Sequence, residues 1–267
     1  MYLGRTMAVV LRQYYLMRGS VARVVPLFAW VAIDIVLWGF ITKYLDQVTS
    51  QSLHFATSLL GAVLIWDFFV RVLHGVTTAF LEDVWSRNFL NLFATPITIP
   101  EYLAGLVLTS ILTSLVGLAV MLVLASALFG LQFFAYGAAA IPFLLILFAF
   151  GIALGIAGSA LVLRFGPASE WFIWPAPALI SPFVGVFYPL STLPDWMRAV
   201  AHALPPSYVF ENLRAIMAGD PFRPWDLAGG GVLAVVYIAL ACVVFGRVHR
   251  QAVRTGLIAR YSAESVT

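Results

Sequence analysis

Polar residues along this chain are gathered into short breaks between six long apolar runs. The runs cover roughly Val24 to Thr42, Phe55 to Phe80, Leu103 to Phe129, Gly137 to Leu163, Trp171 to Leu190 and Leu227 to Phe245. A helix rises ~1.5 Å per residue, so about 20 apolar residues cross the ~30 Å hydrocarbon layer, and each run qualifies. The runs are continuous, whereas barrel strands alternate in polarity, so the pattern predicts helices. The expected fold is an all-α membrane protein with six transmembrane helices.

The breaks are unequal, with two long ones between spans two and three and between spans five and six. In the first, Glu82, Asp83, Val84, Trp85, Ser86, Arg87, Asn88 and Phe89 open a short amphipathic helix that Pro96 and Pro100 end. Its exposed aromatics fit a docking surface for a partner, and they fit equally a helix floating among headgroups. In the second, Thr192, Pro194 and Asp195 make a helix start, with Trp196, Val200 and Leu204 at helical spacing before Pro205 and Pro206. A second short helix follows from Ser207, with Val209, Leu213, Ile216 and Met217 on one face, to Gly219. The two together predict an outer helical hairpin dipping into the interface.

Before span one, arginines mix with Tyr2, Leu3, Val9, Val10, Leu11, Tyr14 and Tyr15, which predicts a helix lying flat at the membrane surface. The spread of four arginines and the lack of an A-x-A site are unlike a cleaved signal peptide. The expected organisation is one domain over residues 1–267. It comprises an interfacial helix at 1–23, spans one to five within 24–190, the outer hairpin at 191–226, span six at 227–246 and a tail at 247–267.

Charge orients the bundle. Ten arginines (Arg5, Arg12, Arg18, Arg23, Arg87, Arg164, Arg247, Arg250, Arg254 and Arg260) fall on one side, against Lys43, Arg198, Arg214 and Arg223 on the other. The positive-inside rule then places both termini in the cytoplasm of a cell (inner) membrane protein. Composition agrees: 62% of residues are hydrophobic, 10% are charged and the mean hydropathy is +0.98. Juxtamembrane arginines facing anionic lipid account for the net charge of +3, so no nucleic acid partner is expected.

The search for catalytic chemistry is mostly exclusion. Lys43 is the only lysine and sits between Thr42 and Tyr44, so no G-x-x-x-x-G-K-[ST] phosphate loop exists. His54, His74, His202 and His249 are scattered, Cys242 is alone, and Ser159 lacks a G-x-S-x-G frame. No catalytic residue, metal site or cofactor is expected in this chain. Gly151, Gly155 and Ser159 form a small-residue stripe suited to close helix packing.

Two intramembrane features remain. Asp34, Asp67, Arg71 and His74 fall inside the first two runs, where charge is costly. Asp67 and Arg71 are four residues apart and can pair with each other, Asp34 can reach Arg71 from the neighbouring span, and a coupling role for these groups is the alternative. Span five is rich in proline and aromatic residues. Its Pro182, Phe183, Phe187, Tyr188 and Pro189 are candidates for a translocation path and outer gate, because broken helices are tolerated where they face protein or water. Trp171 and Trp174 fit an interfacial aromatic belt.

Two stretches resemble the membrane subunit of ABC-2 type exporters, the permease group that handles polysaccharides, lipid-linked glycans and drugs. One is Leu90-Asn91-Leu92-Phe93-Ala94-Thr95-Pro96 with Glu101 and Gly105; the other runs from Ser181 through Trp196 and Pro205-Pro206-Ser207-Tyr208 to Arg214. The resemblance implies a half-transporter that pairs with a second copy or a paralogue and carries two ABC ATPase subunits, which hold the ATP and Mg. It implies that the inner-loop helix couples to the ATPase, with Glu82, Asp83, Trp85, Arg87, Asn88 and Phe89 in contact. Ser86-Arg87-Asn88 stands where many members have a glycine. The expected function is outward movement of an amphipathic or hydrophobic cargo. An ion-gradient carrier using Asp34, Asp67 and Arg71, and a non-transporting membrane assembly component, are the alternatives.

Overall fold

The structure is a computed structural model and describes residues 2–48, 54–86, 91–92, 94–130, 140–220 and 223–256. Regular secondary structure among the described residues is helical, with no strand. The helices are α1 (Leu3–Arg18), α2 (Val21–Val48), α3 (His54–Trp85), α4 (Ile99–Phe129), α5 (Ala140–Phe165), α6 (Glu170–Ile173), α7 (Ala176–Ile180), α8 (Asp195–His202), α9 (Pro205–Met217) and α10 (Pro224–Arg254). Five of them, α2, α3, α4, α5 and α10, are long and apolar enough to cross a membrane. They correspond to the first four expected spans and the last.

The fifth run differs from the continuous span expected of it. It folds as α6 and α7, joined by a turn at Trp174 and Pro175, and continues from Ser181 to Pro189 without helix. Pro175, Pro177 and Pro182 each lack the N–H that a helix interior needs. The helical part spans only about 16 Å. The centre of the irregular part is packed inside protein, with Val184, Gly185 and Val186 buried while Pro182 and Pro189 are exposed, and buried surroundings are the setting in which non-helical backbone is tolerated in a membrane protein.

Three boundaries also move. Glu82 to Trp85 form the last turn of α3 rather than the start of a separate helix. Pro100, expected as a stop, lies in the first turn of α4, where a proline loses no intrahelical bond and Glu101 turns back to accept the Thr98 N–H at 3.0 Å. Pro205 likewise opens α9 instead of only ending α8. In the last two cases proline acts as a helix starter, a role its fixed φ favours.

The most buried long helix is α3, held between α4 and α5, while α10 lies along α5. The small-residue stripe of α5 allows the α3 contact: a Cβ at Gly155 would lie 2.8 Å from that of Val76 and 3.0 Å from the Leu73 carbonyl oxygen. Thr77 Oγ1 donates to Gly155 O at 3.1 Å, and Ser110 Oγ of α4 donates to Val72 O at 3.0 Å, so hydroxyls join α3 to both neighbours. Helix α2 packs more lightly and leaves Trp30, Leu37, Phe40 and Tyr44 exposed, an arrangement without penalty in lipid.

Candidate functional site

At the α1 end of the bundle, one face of α1 meets the last turn of α3 and the first turns of α4. That face is Thr6, Val9, Val10 and Gln13, the i, i+3, i+4, i+7 spacing of an amphipathic helix. Gly105 admits it, since a Cβ there would sit 2.5 Å from the Val9 Cβ. Helix α1 is therefore seated on the spans through this face, not only laid on the membrane surface.

Charged groups lock the seat. Arg12 Nη1 donates to Asp83 Oδ2 at 3.0 Å while its Nη2 bonds Oδ1, a two-pronged pair. The Tyr102 hydroxyl donates to the same Oδ2 at 2.7 Å. The bond to Asp83 pushes the Arg12 guanidinium above its ordinary pKa, against the opposing effect of partial burial, so this arginine stays charged. Glu101, 2% exposed, accepts the Tyr2 N–H at 2.8 Å, with Arg5 Nη1 at 3.6 Å. Arg23 Nη1 donates to Glu82 at 3.3 Å on the rim. One carboxylate thus binds α1 to α3 and α4, and a second fixes the start of α1 to α4.

The six residues expected to face an ATPase divide here. Glu82 is half-buried and Trp85 is 54% exposed, whereas Asp83, at 1% exposure, points into the clamp. Arg87, Asn88 and Phe89 lie outside the described residues. A concavity of about 190 Å³ beside Glu82 is bounded by Arg12, Leu16, Arg23 and Ser86.

In the middle of the long helices, Asp34 of α2 comes together with Asp67 and Arg71 of α3. The two carboxyl groups are within hydrogen-bonding reach, and Arg71 lies close enough to act on both. The Arg71 stem passes over Gly117 of α4, where a Cβ would lie 3.4 Å from Cδ. One turn further along α3, His74 packs on Trp174, with ring centroids 4.4 Å apart. Trp171 remains open to the surroundings.

At the opposite, hairpin end, a cavity of about 520 Å³ opens between the start of α3, the chain at 186–189, and α9. Phe187, Tyr188 and Pro189 line it, and Phe187 stacks on Trp38 of α2 at 5.3 Å. Pro182 and Phe183 lie outside the cavity lining: Pro182 O accepts the Tyr188 hydroxyl at 2.8 Å, and Phe183 meets Trp196 edge-on at 6.1 Å. The irregular wall is pinned by α9. Arg214 Nη2 donates to Gly185 O at 2.6 Å and to Glu211 Oε1 at 2.9 Å, and the same Glu211 oxygen accepts the Leu190 N–H at 2.9 Å. Gly185 has φ +68°, a conformation that suits glycine.

The sequence reading gave no cross-chain partner to Arg12 and Tyr102 at one end or to Glu211, Asn212, Arg214 and Asp226 at the other, and no packing partner to Gly105. The Thr6, Val9, Val10, Gln13 spacing was the readable signal for α1. Nothing in the sequence paired Arg12 with a residue 71 positions away.

Long apolar helices, a surface helix clamped to them and a polar hairpin at the far end define a multi-pass membrane protein of permease type. The profile of the ABC-2 type transporter family matches residues 7–218, and the chain belongs to that family. It is thus an ABC transporter permease, a transmembrane component that associates with an ABC ATPase subunit. A comparison with curated proteins gave no match.

Proposed function

We propose that the chain is the membrane subunit of an ATP-driven exporter that moves an amphipathic or hydrophobic cargo, a lipid-linked glycan or a drug-like molecule, outward. The observation that carries this reading is the Arg12–Asp83–Tyr102 clamp. It joins three helices into one unit at the end where the arginine bias puts the cytoplasm of the cell inner membrane. The chain pairs with a second copy or a paralogue, and two ATPase subunits holding ATP and Mg²⁺ dock on that end. Six crossings result when the broken segment from Glu170 to Pro189 completes the fifth.

Glu82 and Trp85, with Arg87, Asn88 and Phe89, meet the ATPase, while Asp83 positions them from inside. Movement of the docked motor is delivered to α1, α3 and α4 together, because separating them breaks buried charged bonds. Helix α3 carries it the length of the bundle to Leu59 and Ala62 on the wall of the hairpin-end cavity, beside the gate residues Phe187, Tyr188 and Pro189.

The test is co-reconstitution with the cognate ATPase in lipid vesicles. In E82Q/R87Q, ATP hydrolysis persists while ATP-dependent transport falls about tenfold or more. Unchanged coupling in the variant counts against the reading, and transport by the permease alone down a cation gradient overturns it. That last outcome would select a second reading, an ion-coupled carrier, which the Asp34, Asp67 and Arg71 cluster supports.

A further inference from the structure

The arginines of the α1 end are largely matched by carboxylates: Arg12 by Asp83, Arg23 by Glu82, and Arg5 within 3.6 Å of Glu101. Those at the end of α10 are not. Arg247, Arg250 and Arg254 are exposed and have no carboxylate partner among the described residues, and Arg250 Nε donates to Gly246 O of its own helix at 3.2 Å.

These three cations share one strip of the helix. At ~100° per residue they fall within about 60° of one another. Val232, Val236, Leu240 and Val243, all exposed, continue the same strip toward the other end of α10, while Phe245, Val248 and Ala252 are buried on the opposite side. The apolar stretch from Leu227 to Phe245 covers about 28 Å, close to the ~30 Å hydrocarbon layer. Arg247 is therefore the first charge beyond that layer, and Arg250 and Arg254 follow over the next ~10 Å of helix. Helix α5 adds a fourth cation. It runs beside α10 in the same direction, with Ile146 next to Gly230 and Phe150 against Tyr237 at 5.0 Å, a register that brings the exposed Arg164 level with the Arg247 to Arg250 turn.

Continuity along the strip selects the occupant. A neighbour that covers Val236 and Val243 within the hydrocarbon layer is an acyl chain, and the headgroup of the same molecule then stands at Arg247. A guanidinium pairs with a phosphate through two parallel hydrogen bonds, and a headgroup with net negative charge adds attraction that a zwitterionic one cancels. The strip also lies away from the clamp, since α10 packs along α5 on one side of α3 and α1 packs on α4 on the other. We infer that Arg247, Arg250 and Arg254 of α10, with Arg164 of α5, form a binding face for an anionic phospholipid, separate from the end of the bundle that α1 closes.

The experiment uses the permease purified in neutral detergent, with phosphatidylglycerol and phosphatidylcholine of identical acyl chains added in equal amounts and the retained lipids counted by native mass spectrometry. The wild-type chain retains phosphatidylglycerol with a preference of about fivefold or more. R247Q/R250Q brings the preference close to even, and R164Q/R254Q, which shares no position with it, lowers the preference as well. R5Q/R23Q removes the same number of cations from the α1 end and keeps the wild-type preference. Soluble glycerol phosphate at the same concentration displaces none of the lipid, and adding the cognate ATPase leaves the preference as it was. An even preference in the wild-type chain, or an equal fall in R5Q/R23Q, overturns the inference. So does displacement by glycerol phosphate, which would mark a site for free phosphate, or loss of the preference with the ATPase, which would place the motor on this face.

Discussion

The two ends of the bundle use similar residues differently. At the α1 end, the bonds to Asp83 and Glu101 run between helices or from a helix backbone and close on one another, and α1, α3 and α4 become one body. At the hairpin end, Glu211 and Arg214 hold a stretch of irregular backbone that walls an open volume. The difference lies in what the charged groups hold, helix against helix at one end and irregular backbone beside an open volume at the other.

The sharpest way to break the comparison is Asp83→Ala. It strands Arg12 and the Tyr102 hydroxyl, and a loss of about 3–5 kcal/mol is expected in denaturant unfolding of the purified permease. Arg12→Met in the same background should recover part of that loss, because the unpaired cation is then gone. Next in size is Gly105→Val, which drives a side chain into Val9 and Thr6 and costs about 1–3 kcal/mol. Trypsin cleavage at Arg5 and Arg12 should accelerate there, while the hairpin end keeps its protection.

Glu211→Gln weakens the hold on Leu190 and Arg214 and is expected to cost about 1 kcal/mol. Hydrogen exchange should rise at Leu190 with none at α1, and the effect should add to that of Asp83→Ala, since the two share no partner. The smallest stability effect belongs to Glu82→Gln, at less than about 1 kcal/mol, because its pair with Arg23 is partly exposed. A shift in unfolding midpoint as large as that of Asp83→Ala would place Glu82 inside the clamp rather than on its docking rim.

Particular residues show what was legible. The long apolar runs read directly as helices, because 20 apolar residues in sequence have few other uses. The glycine stripe at Gly151 and Gly155 read as a close-packing surface and lies against Val72 and Val76. The prolines were harder. Pro100 and Pro205 were read as stops and are starts, since proline is compatible with either end of a helix until the neighbouring backbone is known. Span five read as proline-broken, but its division into α6, α7 and an irregular stretch with a buried centre depends on what α9 supplies to Gly185 and Leu190.

The sequence by itself determined the solvent: its apolar runs and arginine-bearing breaks commit the chain to a helical membrane fold, because hydropathy and length are local properties. Only the tertiary structure decided which charges meet. Arg12 and Asp83, or Asn212 and Asp226, become partners through the crossing of helices distant in sequence. A pairwise electrostatic contact is a property of that crossing geometry, which no residue carries alone.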